Sequence, residues 1–210
     1  MTLESRFKKI YTDKTWITHG GVSVSGSGSE VDITEVISSG LRHFIELNQI
    51  KSVIDCPCGD FNWQQQWLSP DMKYYGYDIV PEVIEIAKKN GKAYPNAEFD
   101  VANLCDKWFP EADLMLVRDC LVHLSHVEAL AAMRNIAAQR IKYVAITSFV
   151  NTTDNMDRPS PEWRFMNLQK PPFNLPMPIA ILVEQCPEAD GAADDKSLYI
   201  YRVDQIQFVP

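Results

Sequence analysis

Positive charge is in short supply in this chain: 20 Lys and Arg stand against 28 Asp and Glu, a formal net charge of −8 over 210 residues. Basic side chains that neutralise phosphate supply most nucleic-acid affinity, so a broad nucleic-acid footprint is excluded and no nucleic-acid partner is expected. The compact basic run Arg6-Phe7-Lys8-Lys9 reads as the solvated face of an N-terminal helix. No apolar run approaches the ~18 residues that a membrane span needs, and the N-terminus has no signal-like apolar core. No membrane partner is therefore expected, and a cytoplasmic location is. The five cysteines, at 56, 58, 105, 120 and 186, are odd in number and scattered, which excludes a disulfide framework and suits a reducing compartment. Cys56 and Cys58 lack a second Cys or His pair nearby, and no His, Asp and Glu set has ligand spacing, so no metal is expected.

Glycine is also scarce at the most informative place. Residues Val53 to Asn62 form an apolar strand ending in Asp55 and a turn containing Gly59; a second strand ends in Asp78, 23 positions after Asp55. Two strands that each end in an acid, with a tight turn after the first, are how a Rossmann-like sheet holds an adenosine-containing cofactor. A dinucleotide turn needs three glycines for the pyrophosphate and for close helix packing. Here Gly59 stands alone, Pro57 and Phe61 occupy positions where glycine is wanted, and the turn has no Lys or Arg. A cofactor without phosphate fits better, and a nicotinamide-dependent oxidoreductase is the poorest of the readings.

Apolar periodicity predicts strands at 52–56, 73–78, 97–101, 113–118, 142–149, 179–185 and 197–203. Helices are predicted at 3–17, 32–47, 63–69, 81–90 and 125–139, with Asp32 or Thr34 capping the second. Alternating strands and helices imply a parallel sheet covered on both faces. The last two strands are joined only by a turn-rich acidic stretch and are expected to be antiparallel. One domain over 1–210 is expected, with 1–50 supplying N-terminal helices and a Gly/Ser stretch. The segment 150–178, rich in Pro and Asn, is too long for an idle connection and reads as a substrate loop.

Asp55-Cys56-Pro57-Cys58-Gly59-Asp60 resembles the Asp-x-Gly-x-Gly-x-Gly first motif of class I S-adenosylmethionine-dependent methyltransferases. Asp78-Ile79 is similar to their second motif, Phe99-Asp100-Val101 to the third and Asp113 through Asp119 to the fourth, in the same order. The resemblance covers about residues 50 to 150. It implies an α/β, Rossmann-like seven-stranded methyltransferase sheet, mostly parallel with an antiparallel C-terminal strand and helices on both faces. S-adenosylmethionine is the implied cofactor, with Asp55, Cys58 and Gly59 beneath its methionine part, Ile79 against adenine, and Asp100 and Val101 at the adenine edge.

Ligands of an open parallel sheet bind outside the carboxyl ends of its strands, which gathers the Asp55 turn, Asp78, Asp100 and residues 118–123 around one crevice. Asp78 is placed to accept both ribose hydroxyls, or alternatively to cap the helix beginning at Pro81. Cys58 also reads as a small buried residue at a strand end. Arg118 is a candidate for the cofactor carboxylate or an acidic substrate. His123 is the candidate general base, with packing as its alternative role, and Asp119 would orient it or bind the acceptor. Trp163, Arg164 and Asn167 are the expected substrate contacts, and the Gly/Ser stretch a closing flap. The expected activity is methylation of a hydroxyl on a small-molecule acceptor or sugar. The alternative is a catalytically silent S-adenosylmethionine or S-adenosylhomocysteine binding module serving a protein partner. The residues leave acceptor and oligomeric state open.

Overall fold

The computed structural model describes residues 1–17, 21–187 and 191–206; His19, within the expected flap, lies outside them. Seven strands form one sheet in the order β3-β2-β1-β4-β5-β7-β6. They are β1 (Ser52–Asp55), β2 (Lys73–Asp78), β3 (Ala97–Val101), β4 (Ala112–Val117), β5 (Ile141–Phe149), β6 (Ala180–Val183) and β7 (Lys196–Arg202). β1, β2, β3, β4 and β5 pair in parallel, while β7 runs antiparallel to both β5 and β6. β7 is thus inserted between its neighbours, and it alone is reversed.

β4 shows why both faces are covered. Leu114 and Leu116 point into one core, with Ile37, Leu41 and Phe44 of α2 (Glu35–Leu47) and Ile84 and Ala87 of α3 (Pro81–Asn90). Met115 and Val117 point into the other, with Ala129, Ala132, Met133 and Ile136 of α4 (His126–Ala137). Alternation with period two and apolar residues on both sides is the pattern of a strand buried on both faces. Pro81 opens α3 at a position that needs no N–H, and Ser125 with Glu128 closes a capping box on α4.

Three helix expectations change. The segment 63–69 forms only a 3-10 turn, Trp63–Gln66, because the Gln64 side chain donates inward to Asp55 Oδ2 and to the Cys58 carbonyl, both at 2.8 Å. The first helix, α1 (Leu3–Thr12), ends before Lys14, which takes a left-handed φ of 54°. α2 begins at Glu35 instead of residue 32, with Thr34, one of the two candidates, at its N-cap position, although the Thr34 hydroxyl donates back to the Glu30 carbonyl at 2.7 Å and accepts from no helix N–H. Among the described residues no helix is long and apolar enough to cross a membrane.

Candidate active site

A cavity of about 460 Å3 opens at the carboxyl ends of β1, β2 and β4. One end is built from the Cys56 to Gly59 turn, Asp78, Ile79, Ala102 and Asn103. Gly59 has a left-handed φ of 55°, and a Cβ there would lie 2.5 Å from Ser25 Oγ, so both the turn and its lid require glycine. Phe61 also adopts a positive φ, 58°, which is unfavourable for a bulky residue. Its ring is buried at 5.0 to 5.4 Å from those of Tyr74, Phe99 and Tyr94, which offsets that cost and explains how an aromatic stands where a glycine is usual.

The Gly/Ser stretch forms the roof of this end. Asp60 accepts from Ser23 Oγ at 3.0 Å and from the Val24 N–H at 2.8 Å, and its own N–H donates to Ser25 Oγ at 3.0 Å. Asp78 is buried; Val80 N–H donates to one carboxylate oxygen at 2.9 Å and Gly59 N–H to the other at 3.3 Å. Burial pushes its carboxyl up to about 6, against those backbone bonds. The Asp78 carboxylate therefore both leads into α3 and lines the cavity.

The other end is aromatic. Phe7 and Trp16 reach it from α1 and the turn after it, Trp163 from the 150–178 segment, and His123 from the loop after β4, while Tyr11, its ring 5.6 Å from that of Trp16, turns its hydroxyl to Ser25 in the roof near Asp78. His123 Nδ1 lies 3.1 Å from the Pro161 carbonyl, and its ring packs on Trp16 at 4.9 Å. A carbonyl can only accept, so Nδ1 carries the proton and Nε2 keeps its lone pair. Burial lowers the imidazole below its ordinary 6.5, so it is neutral at pH 7.

Beneath both ends lies a group of four charges, of which Arg118, Glu184 and Lys196 are buried and Asp119 is part-buried. Arg118 bonds Glu184 through Nε, to Oε1 at 3.1 Å and Oε2 at 3.2 Å, and through Nη2, to Oε2 at 2.6 Å, and it donates to the Gly28 carbonyl at 2.8 Å. Lys196 Nζ reaches Asp119 Oδ2 at 2.6 Å and Glu184 at 3.6 Å. Burial works to raise the Asp119 carboxyl, but Lys196 and Arg118 outweigh it and hold it at about 2.

No protein-family model matches the chain. Proteins of two Bacillus cereus strains, each named an uncharacterized RNA methyltransferase, are 35% identical to it over 92 residues, which is 40% of this chain and 20% of each of those proteins. The chain spans about a fifth of the length of the curated relatives it matches. Magnesium protoporphyrin IX methyltransferase (ChlM) from Synechocystis PCC 6803 with bound SAH superposes with a TM-score of 0.57 at 18% identity, over 72% of each chain. The methyltransferase domain of bacterial CtHen1 gives 0.51 at 20% identity, over 55% of this chain and 66% of that one. The chain has the class I methyltransferase fold.

On this methyltransferase sheet the cavity wall includes Cys58, Gly59, Asp78, Ile79, Arg118, Asp119, His123 and Trp163. Five other expected site residues stand elsewhere. Asp55 turns under the sheet, where Gln64 Nε2 and Tyr74 OH donate to it at 2.8 and 2.7 Å, and burial pushes it up to about 7. Asp100 and Val101 point away at the edge strand β3; Asp100 pairs with Lys107 at 3.7 Å, and Ala102 and Asn103 line the cavity in their place. Asn167 is buried as a cross-link of its own loop, donating to the Val150 and Thr152 carbonyls at 3.2 and 3.0 Å. Arg164 is buried outside the wall, its backbone N–H on the Val122 carbonyl at 3.1 Å. Arg118 reaches the cavity with its charge already matched by Glu184.

The residues that pattern reading missed are Phe7, Tyr11, Trp16, Glu184 and Lys196. A signal existed for Phe7 and Tyr11, which lie on the amphipathic α1 whose residues line the cavity. Glu184 and Lys196 carried none.

Proposed function

We propose that this chain binds S-adenosylmethionine and methylates a hydroxyl of a small-molecule acceptor, with His123 taking the hydroxyl proton. The observation that carries this reading is a single cavity with the Asp78 carboxylate at one end and the unbonded Nε2 of a neutral His123 at the other. The residues suit the cofactor. Its volume of about 460 Å3 lies within the ~300–1,000 Å3 of small-molecule sites. Asp78 is ionised at neutral pH and faces the cavity to accept ribose hydroxyls, while Ile79, Ala102 and Asn103 line the space beside it for adenine. The glycine-lined turn and the Ser25 to Ser29 roof hold no cation for a phosphate.

Bound there, S-adenosylmethionine supplies an already activated methyl group, so the protein's work is alignment and proton removal. The roof fastened to Asp60 keeps water out of the crevice. Asp119, fixed by Lys196 and Arg118, shapes the floor below the acceptor.

Calorimetric titration with S-adenosylhomocysteine and with NAD tests the reading. Micromolar binding of the former is expected, weakened at least about tenfold by Asp78→Ala as a charged acceptor is lost. Binding of NAD alone, or of neither, would overturn it. The name of the Bacillus relatives favours a second reading, an RNA acceptor. The net charge of −8 and the roofed aromatic cavity weigh against it.

A further inference from the structure

Resting on that reading, we infer that the acceptor is a planar aromatic compound carrying a phenolic hydroxyl, held against Trp16 beside His123. Two features of the acceptor end lead there. The first is what it offers a ligand. Trp16 packs on the His123 ring at 4.9 Å and 45°, and Phe7 approaches the same imidazole edge-on at 6.5 Å and 83°. Trp163 stands at the mouth, 40% exposed, braced edge-on by Phe149 at 5.9 Å and Phe165 at 4.5 Å. These are rigid, flat, apolar walls.

The cations near them are already engaged, since Lys196 and Arg118 both hold Asp119 Oδ2, at 2.6 and 3.2 Å, and of that carboxylate only Oδ1 is left without a partner, room for a single hydroxyl. A sugar brings many hydroxyls, and those left without partners inside such walls oppose binding. An aromatic ring brings two apolar faces and one hydroxyl, and stacking between rings adds to burial.

The second feature is the base. A neutral imidazole lowered by burial is a weak base, and proton transfer to it is far less uphill from a phenol, at ~10, than from an aliphatic hydroxyl, which resembles water at ~15.7. In the step, the phenolic oxygen forms the new bond to the methyl carbon. The carbon–sulfur bond breaks with its electron pair going to sulfur, which leaves the neutral thioether. The phenolic proton passes to Nε2 of His123 and then to water, so no oxidant or metal is needed.

The test begins with calorimetry of S-adenosylhomocysteine on the full chain. The loaded protein is then titrated with 2-naphthol, 4-nitrophenol, methyl glucoside and cyclohexanol while tryptophan fluorescence is followed. The two phenols are expected to bind and quench, and the glucoside and cyclohexanol are not. Trp16→Ala should weaken 2-naphthol at least about tenfold and Trp16→Phe by no more than about threefold, both keeping wild-type affinity for S-adenosylhomocysteine. Equal or better binding of the glucoside or cyclohexanol, or no phenol binding to protein that has taken up S-adenosylhomocysteine, overturns the inference and leaves the cofactor reading standing. Failure of the first titration brings down both.

Discussion

His123 and Asp119 stand four positions apart on one loop and are driven to opposite protonation behaviour. Burial keeps the imidazole neutral, whereas Lys196 and Arg118 keep the carboxylate charged at any pH near neutrality. Only His123 can take a proton there. His123→Gln should therefore lower kcat by about 10²–10⁴ and leave S-adenosylhomocysteine affinity unchanged, measured by radiolabelled methyl transfer beside calorimetry. On the proposed reading the neutral imidazole is the active form, so kcat/KM should rise with pH along a limb centred below 6.5 and be flat above it. A limb centred higher would show that another group is the base. Asp78, the last residue of β2, and His123, in the loop after β4, were legible because the carboxyl ends of parallel strands border the crevice. Glu184 and Lys196 were not, since they meet Arg118 and Asp119 across separations of 66 and 77 residues that no local pattern encodes.

At the level of elements, Glu128 joins three pieces of chain. Its carboxylate accepts from Ser125 at the start of α4, from Ser160 in the 150–178 segment and from Arg6 of α1. Burial works to raise its pKa, but these bonds outweigh it and hold the group at about 2. Glu128→Ala should cost about 2 kcal/mol, the worth of charged hydrogen bonds to a part-buried group, seen as a lower midpoint in urea. Because α1 carries Phe7 to the edge of the His123 ring and Arg6 ties the same helix to Glu128, the same variant should weaken acceptor binding on the proposed reading. The β-strands and the helices α3 and α4 were legible from apolar period and caps. The 63–69 helix was not, because Gln64 turns inward to bonds with Asp55 and Cys58 that exist only once β1 and its turn are assembled.

For the whole molecule, four carboxyls set the dependence of stability on pH. Asp55 and Asp78 are raised from an ordinary 3.8 to about 7 and about 6. Between pH 4 and 7 the folded state therefore binds more protons than the unfolded chain, and stability falls as pH rises through that window. Asp119 and Glu128, lowered to about 2, add stability that is present above pH ~4.5 and lost as pH falls toward 2. The thermal midpoint of the ligand-free protein should thus peak near pH 5 and decline toward pH 8. Asp55→Asn should flatten the alkaline side, where a group buried at 1% exposure is worth a few kcal/mol. A midpoint that rises steadily to pH 8 would contradict this. The sequence by itself determined the strand set, the two-sided core and the adenosine-type turn, because each rests on short-range periodicity or on backbone demands at single residues. Tertiary structure alone decided which acids face the crevice: Asp55 pairs with Gly76, two residues short of the level of Asp78, so Asp55 is taken up by Gln64 and Tyr74 while Asp78 reaches the cavity. It also decided that an N-terminal helix lines the cavity, since an apolar face that covers a cavity and one that covers a core are written with the same residues.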